Sequence, residues 1–186
     1  MKGYAMTRFF KPLMAALVLA ASVLATGPAR AQDTGAAPNS LTVTFQDWVV
    51  RCAMVTVQDG SQHQACEMAQ ELTQSDTGQR VLSAIVRKTR DDTGLTVIAP
   101  FGLLLSQGVA MSIDGRDPVP IAFRTCLPGG CIAPKVLSDA ELASLARGNE
   151  AALTMANTND QPFTVTLSLA GFSAALKRLG QECCGG

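Results

Sequence analysis

Apolar and polar residues alternate with period two over much of the chain, which is the mark of half-buried β-strands. Residues 41–45, Leu-Thr-Val-Thr-Phe, keep the alternation strictly, and residues 47–52 continue it past a bend at Gln46. It resumes over 65–72, through Cys66, Met68 and Gln70, after a polar loop at 58–64. A turn at 76–79 leads to the β-branched run 81–86, which the charged segment 87–92 closes. Further strands are predicted for 95–98, 119–123, 131–136, 151–155 and 163–167. Residues 103–105 and 109–113 read as the arms of a hairpin around Ser106-Gln107-Gly108. Asp114-Gly115 is a strong two-residue turn signal, because both positions of a type I′ turn need positive φ.

Two stretches switch to helical spacing. Ser138 is an N-cap with Glu141 three residues on as its box partner, and Gly148 is a C′ stop, which predicts a helix over 138–147. Leu142 and Leu145 fall on one of its faces. Phe172, Ala175, Leu176 and Leu179 line one side of a second helix, with Lys177 and Arg178 favouring the dipole in its last turn. Short strands roughly ten residues apart with two minor helices predict an all-β sandwich or barrel.

The ends read differently. Lys2, Arg8 and Lys11 precede an uncharged apolar run at 13–25. At 13 residues it is shorter than the ~20 a membrane span needs. Gly27 and Pro28 break it, and Ala29-Arg30-Ala31 is an A-x-A cleavage site. Residues 1–31 are therefore expected to be a signal peptide cut between Ala31 and Gln32. Residues 32–40 form a small, polar, flexible leader, 41–180 the sandwich domain and 181–186 a flexible tail holding Cys183 and Cys184. The expected location is periplasmic, secreted or outer-envelope associated.

Removing Lys2, Arg8, Lys11 and Arg30 leaves 11 basic against 15 acidic residues, a net charge of −4 on the mature chain. That surface offers no footprint for nucleic acid. No stretch after the signal is long and apolar enough to span a bilayer.

All six cysteines follow the cleavage site. Export places them where disulfides are the default, and six cysteines allow 15 connectivities. Loop proximity pairs Cys52 with Cys66, and Cys126 with Cys131 around the turn sequence Leu-Pro-Gly-Gly. A four-cysteine zinc site fits poorly, because the 13 residues between Cys52 and Cys66 are no zinc knuckle. No C-x-x-C or C-x-x-C-H motif is present. Cys183 and Cys184 pair with each other or small thiols, or else cross-link a dimer through the tail.

A catalytic constellation is missing. The one histidine, His63, stands in a polar loop with no nucleophile or orienting partner beside it. No G-x-S-x-G, P-loop, G-x-G-x-x-G or H-E-x-x-H motif is found. Asp91, Asp92, Asp114 and Asp117 are the candidates for paired carboxylates, and all sit in turn-like contexts. Aromatics are only 5% of the chain, so a sugar-stacking platform is poorly supplied, and Trp48 reads as core. No cofactor is expected.

Taken in order, several short motifs resemble one family. They are Asp47-Trp48 leading to Arg51-Cys52, Cys66-Glu67-Met68, Leu95-Thr-Val and Pro100-Phe-Gly102. They continue with Gly108-Val109, Ile113-Asp114-Gly115, Phe123 with Cys126, and Gly130-Cys131. The helix over 137–148 and Ser168-Leu-Ala-Gly171-Phe172 with Ala175-Leu176 complete the set. The chain resembles the invasion-associated locus B family of alphaproteobacterial envelope proteins over about 45–179; the Cys183-Cys184-Gly-Gly tail lies outside it. The resemblance implies an exported, immunoglobulin-like β-sandwich with a link to host-cell invasion. The family has no established catalytic residues to carry over. The expected function is a non-catalytic binding module for a protein or envelope component. A periplasmic small-ligand carrier and an enzyme with an unfamiliar site are the alternatives: a deep pocket would favour these, and a flat or edge-strand surface the binding module. Residues 103–105 break the alternation, so both faces of that run are expected to be covered, either by an ordinary core arrangement or by a partner chain; in the second case Leu104 is the interface residue.

Overall fold

The computed structural model describes residues 40–184, with side chains as far as Glu182. The expected signal peptide, its expected cleavage point at Ala31 and Gln32, the expected leader as far as residue 39 and the side chains of Cys183 and Cys184 lie outside the described residues. No described helix is long and apolar enough to cross a membrane.

The alternating segments form two antiparallel sheets. One has seven strands in the order β1-β2-β3-β4-β5-β9-β8. These are Ser40–Phe45, Trp48–Thr56, Gln62–Thr73, Arg80–Lys88, Thr93–Ala99, Gly130–Val136 (β9) and Thr125–Leu127 (β8). The other has four in the order β11-β10-β6-β7, that is Pro162–Ser168, Glu150–Ala156, Val109–Ile113 and Val119–Ile121. Two helices, α1 (Asp139–Arg147) and α2 (Phe172–Cys184), complete an all-β sandwich.

The inward residues make one core: Trp48, Val50, Met68, Leu82, Val86 and Val97 from the larger sheet, with Met111 and Leu153 from the smaller. Phe172, Ala175 and Leu179 of α2 join it, and α2 lies across β2 and β3. Each large apolar side chain so buried contributes about 1.5–3 kcal/mol. Trp48 meets Phe172 edge-on at 5.0 Å and donates its indole N–H to the Ser168 carbonyl. It is core, as its strand context suggested.

Several local readings hold, and others change. Asp114 and Gly115 both have positive φ, and Arg116 N–H closes the turn onto Ile113 O. Ser138 and Glu141 form the full reciprocal capping box. Gly148 does end α1, but at φ −78 rather than in a left-handed cap. The need for glycine there is packing, because a Cβ would sit 2.8 Å from Ile113 Cγ2. Gln46 is not a bend within one strand: at φ 52 it begins a reversal that sets β1 antiparallel to β2.

The hairpin expected of 103–105 and 109–113 does not form. Leu103 bridges Asn157, residues Leu105–Gln107 make a turn of 3₁₀ helix, and β6 pairs instead with β7 and β10. Leu104 is half-buried beside the Ala156 carbonyl that its N–H meets, and Leu105 is the exposed member of the run. Helix α2 continues to Cys184, beyond the expected boundary at residue 180.

Candidate functional site

Two disulfides tie the seven-stranded sheet. Cys52 and Cys66 face each other across β2 and β3, and Cys126 and Cys131 across β8 and β9. Both are bonded, with Cα–Cα distances of 4.1 and 3.9 Å. Cys52, Cys66 and Glu182 come close enough to suggest a metal site, but both sulfurs are held in the S–S bond, so neither is a thiolate ligand. The Cys126–Cys131 bond closes the small hairpin at the far end of the sheet.

Register places the outward side chains of this sheet in rows. One row runs Thr44, Val49, Ala69, Ile85, Thr96, Pro134, and the next runs Glu71, Ser83, Ile98, Ile132, Thr125. A third brings Thr42, Arg51 and Glu67 beside Arg87, Gly94 and Val136. Among the described residues a helix covers the inward side only, and Val49, Ala69, Ile85, Ile98 and Ile132 stay half-exposed while Val136 is exposed.

The face is a trough. Three hollows of about 570, 250 and 230 Å³ open along it. The first and second share Arg80 and Ile98, and the second and third share Arg51 and Glu67. Ser83, buried, is its floor, and its hydroxyl meets the Glu71 carboxylate at 3.4 Å. Pro100, Phe101 and Pro128 wall the largest hollow. Phe101 is 61% exposed, and Leu127, on the edge strand β8, is 53% exposed. The Arg80 guanidinium donates to the Gly129 carbonyl and holds the β8–β9 turn against the trough. Arg87 pairs with Glu67, whereas Arg51 has no ion-pair partner among the described residues.

A serine nucleophile needs a base able to hold its proton. Ser83 has only the solvent-facing Glu71, and His63 stands exposed in β3, on the arm beyond the Cys66 disulfide. Asp114, one of the carboxylate candidates, is a structural acceptor instead. It takes the N–H groups of Asn149 at 3.0 Å and Glu150 at 3.1 Å, and these hold its carboxyl below the usual range. Asp91, Asp92 and Asp117 are exposed and stand in turns and loops.

Sequence patterning found the two disulfides and missed the trough. Its signal was present in the outward positions of β2 to β5, where Val49, Ala69, Ile85 and Ile98 stand where a wet strand would carry polar residues. Only the cross-strand register shows that these positions lie side by side.

Known proteins with this fold and sequence agree with one another. The family described as invasion associated locus B (IalB) protein matches residues 48–180. The invasion protein B homolog of Brucella abortus is 38% identical over 143 residues, covering 76% of this chain and 80% of that protein. Invasion protein B of Bartonella bacilliformis is 35% identical over 151 residues, covering 76% and 75%. The crystal structure of invasion associated protein B from Bartonella henselae aligns with a TM-score of 0.66 at 30% identity, over 75% of this chain and 94% of that one. From its strands, its helices and the ordered motifs they carry, the chain belongs to the invasion associated locus B family.

Proposed function

We propose that this protein is an exported, non-catalytic binding module that takes a partner protein on the outward trough of its seven-stranded sheet. One observation carries the reading: on a sheet face that no described element covers, half-exposed Ile85 and Ile98 line one hollow together with Arg51, which has no ion-pair partner among the described residues. Arg51 is exposed, so its guanidinium is free to meet water or an acidic partner. The complementary surface is a protein face with a carboxylate among apolar side chains. Aromatic and arginine residues are the commonest anchors of such contacts, and Phe101 supplies the first kind at the trough's end.

The hollows are open to solvent, whereas a small-ligand carrier would enclose its cargo. Two disulfides support passage to an oxidising compartment. The relatives are named for invasion, so the partner is sought where the envelope meets a host cell.

A photo-crosslinking residue at Ile85, with one at the exposed Asp117 in the β6–β7 turn as control, tests the reading in cells. A defined adduct should form from position 85 only. The purified adduct partner should then bind at least tenfold more weakly to Arg51→Glu and to Ile85→Asp, at unchanged melting temperature. Equal adducts from both positions, or affinity indifferent to both substitutions, would overturn the proposal.

A further inference from the structure

The flank of the four-stranded sheet carries a second feature, independent of the trough. Strand β11 is an edge strand, paired with β10 alone. Its hydrogen-bonding sense is fixed at its end. Leu169 N–H turns to Asn149 of the β10 side at 2.9 Å. Ser168 turns the other way: its N–H meets Gln70 Oε1 at 3.0 Å, and its carbonyl accepts from Gln70 Nε2 and Trp48 Nε1. Backbone direction alternates along a strand, so Thr166 and Thr164 also turn their N–H and C=O groups outward. Ser168 is capped from within the chain, and among the described residues no turn, loop or side-chain hydrogen bond meets the backbone of Thr164 or Thr166.

Natural edge strands are commonly guarded by lysine, proline, a bulge or shortness. Among the described residues, two of the other edges have such guards. Strand β8 spans only Thr125–Leu127, and β7 spans Val119–Ile121 with Pro120 at its centre. Strand β1 is uncharged, with Arg51 opposite Thr42, and β11 has Glu150 opposite Ser168 at its end. Strand β11 reads Pro-Phe-Thr-Val-Thr-Leu-Ser, without a charge. Its outward neighbours Ala152, Thr154, Ala110 and Ser112 are also small and neutral.

The strand is symmetric about Val165. Laid antiparallel on a second copy, Val165 opposes its own copy, Thr164 opposes Thr166 and Phe163 opposes Leu167. Both threonines face outward, so each Thr164–Thr166 pair closes a two-bond ring, and proline at 162 needs no partner because it has no N–H. Cross-strand threonine pairs are favourable, and Thr164 already makes one with Thr154 at 2.9 Å. A copy of net charge −4 repels its twin over most of its surface, but this row places no like charges together.

We infer that β11 pairs with β11 of a second copy about a two-fold axis at Val165, joining two four-stranded sheets into one of eight strands. The interface is isologous, as a two-fold axis requires.

Sedimentation of the mature chain, and of its C183S/C184S form, should show a dimer that grows with concentration in both. Hydrogen exchange at the Thr164 and Thr166 amides should slow as the dimer forms. T164K/T166K should remain monomeric at the melting temperature of the parent, and mixing it with T164E/T166E should restore a mixed dimer. A monomer at every concentration overturns the inference, as does a dimer that T164K/T166K retains. A dimer lost in C183S/C184S belongs to the tail and overturns it too. Were the lysine variant to unfold, the concentration dependence of the two parent amides decides alone.

Discussion

The outward faces of the two sheets differ in kind. The seven-stranded sheet shows arginine and glutamate around half-exposed Val49, Ile85, Ile98 and Ile132, in a trough floored by Ser83. The four-stranded sheet shows Ala110, Ser112, Ala152, Thr154, Thr164 and Thr166, with Glu150 at one margin. Both faces stand on one shared core, so stability does not explain the contrast. A large mixed surface suits a partner of complementary shape and charge, while a small neutral row suits backbone pairing at its edge. Both disulfides lie in the larger sheet, where they fix its hairpins and therefore the rows of the trough.

Removing those bonds should separate the two faces most strongly. C52S/C66S closes off a staple over a 15-residue loop, worth about 3 kcal/mol in the chain-entropy view; C126S/C131S, over a shorter loop, should lose about 2 kcal/mol. Denaturant unfolding gives the totals. Hydrogen exchange should rise in β2 and β3, or in β8 and β9, before it rises in β10. Equal loosening of both sheets would mean that the contrast between them is not mechanical.

A smaller effect tests the joint between them. Gln70 is buried at 4% and bonds both Asp47 O and Ser168, linking β3 to the end of β11. Gln70→Leu should cost about 1–3 kcal/mol, since it strands buried backbone groups. It should also speed amide exchange at Ser168 and so lengthen the open edge. An unchanged melting midpoint would show that water replaces the amide without loss.

The smallest effect is the pH response of the four-stranded sheet's corner. Asn149 and Glu150 N–H groups lower the Asp114 carboxyl. For Glu141 burial pushes upward, but bonds from Ser138 and Lys135 outweigh it and the net shift is downward. A carboxyl lowered by folding adds stability above its unfolded range, ~4, and loses it as pH falls through the folded value. Stability should therefore fall as the solution becomes more acid than about pH 4. Asp114→Asn keeps an acceptor oxygen and tolerates the positive φ, so it should flatten that fall. A parallel decline in both proteins would remove Asp114 from the account.

Much of this was legible in the linear pattern, because period two, capping boxes and Asp-Gly turns are local physics. The strands of 41–45 and 163–167, the box of Ser138 and Glu141 and the turn at Asp114 are set by near neighbours. The two disulfides were also legible, because each spans a short hairpin in which the cysteines become opposite residues. Tertiary structure decided the rest. The apolar run 103–105 looked like a strand, yet β10 took the place beside β6, since long-range pairing depends on which segments meet in the folded core. Gly148 was chosen for closeness to Ile113 rather than for a left-handed turn. The trough is the strongest case: its residues come from five strands spread over the chain, and only register turns them into one surface.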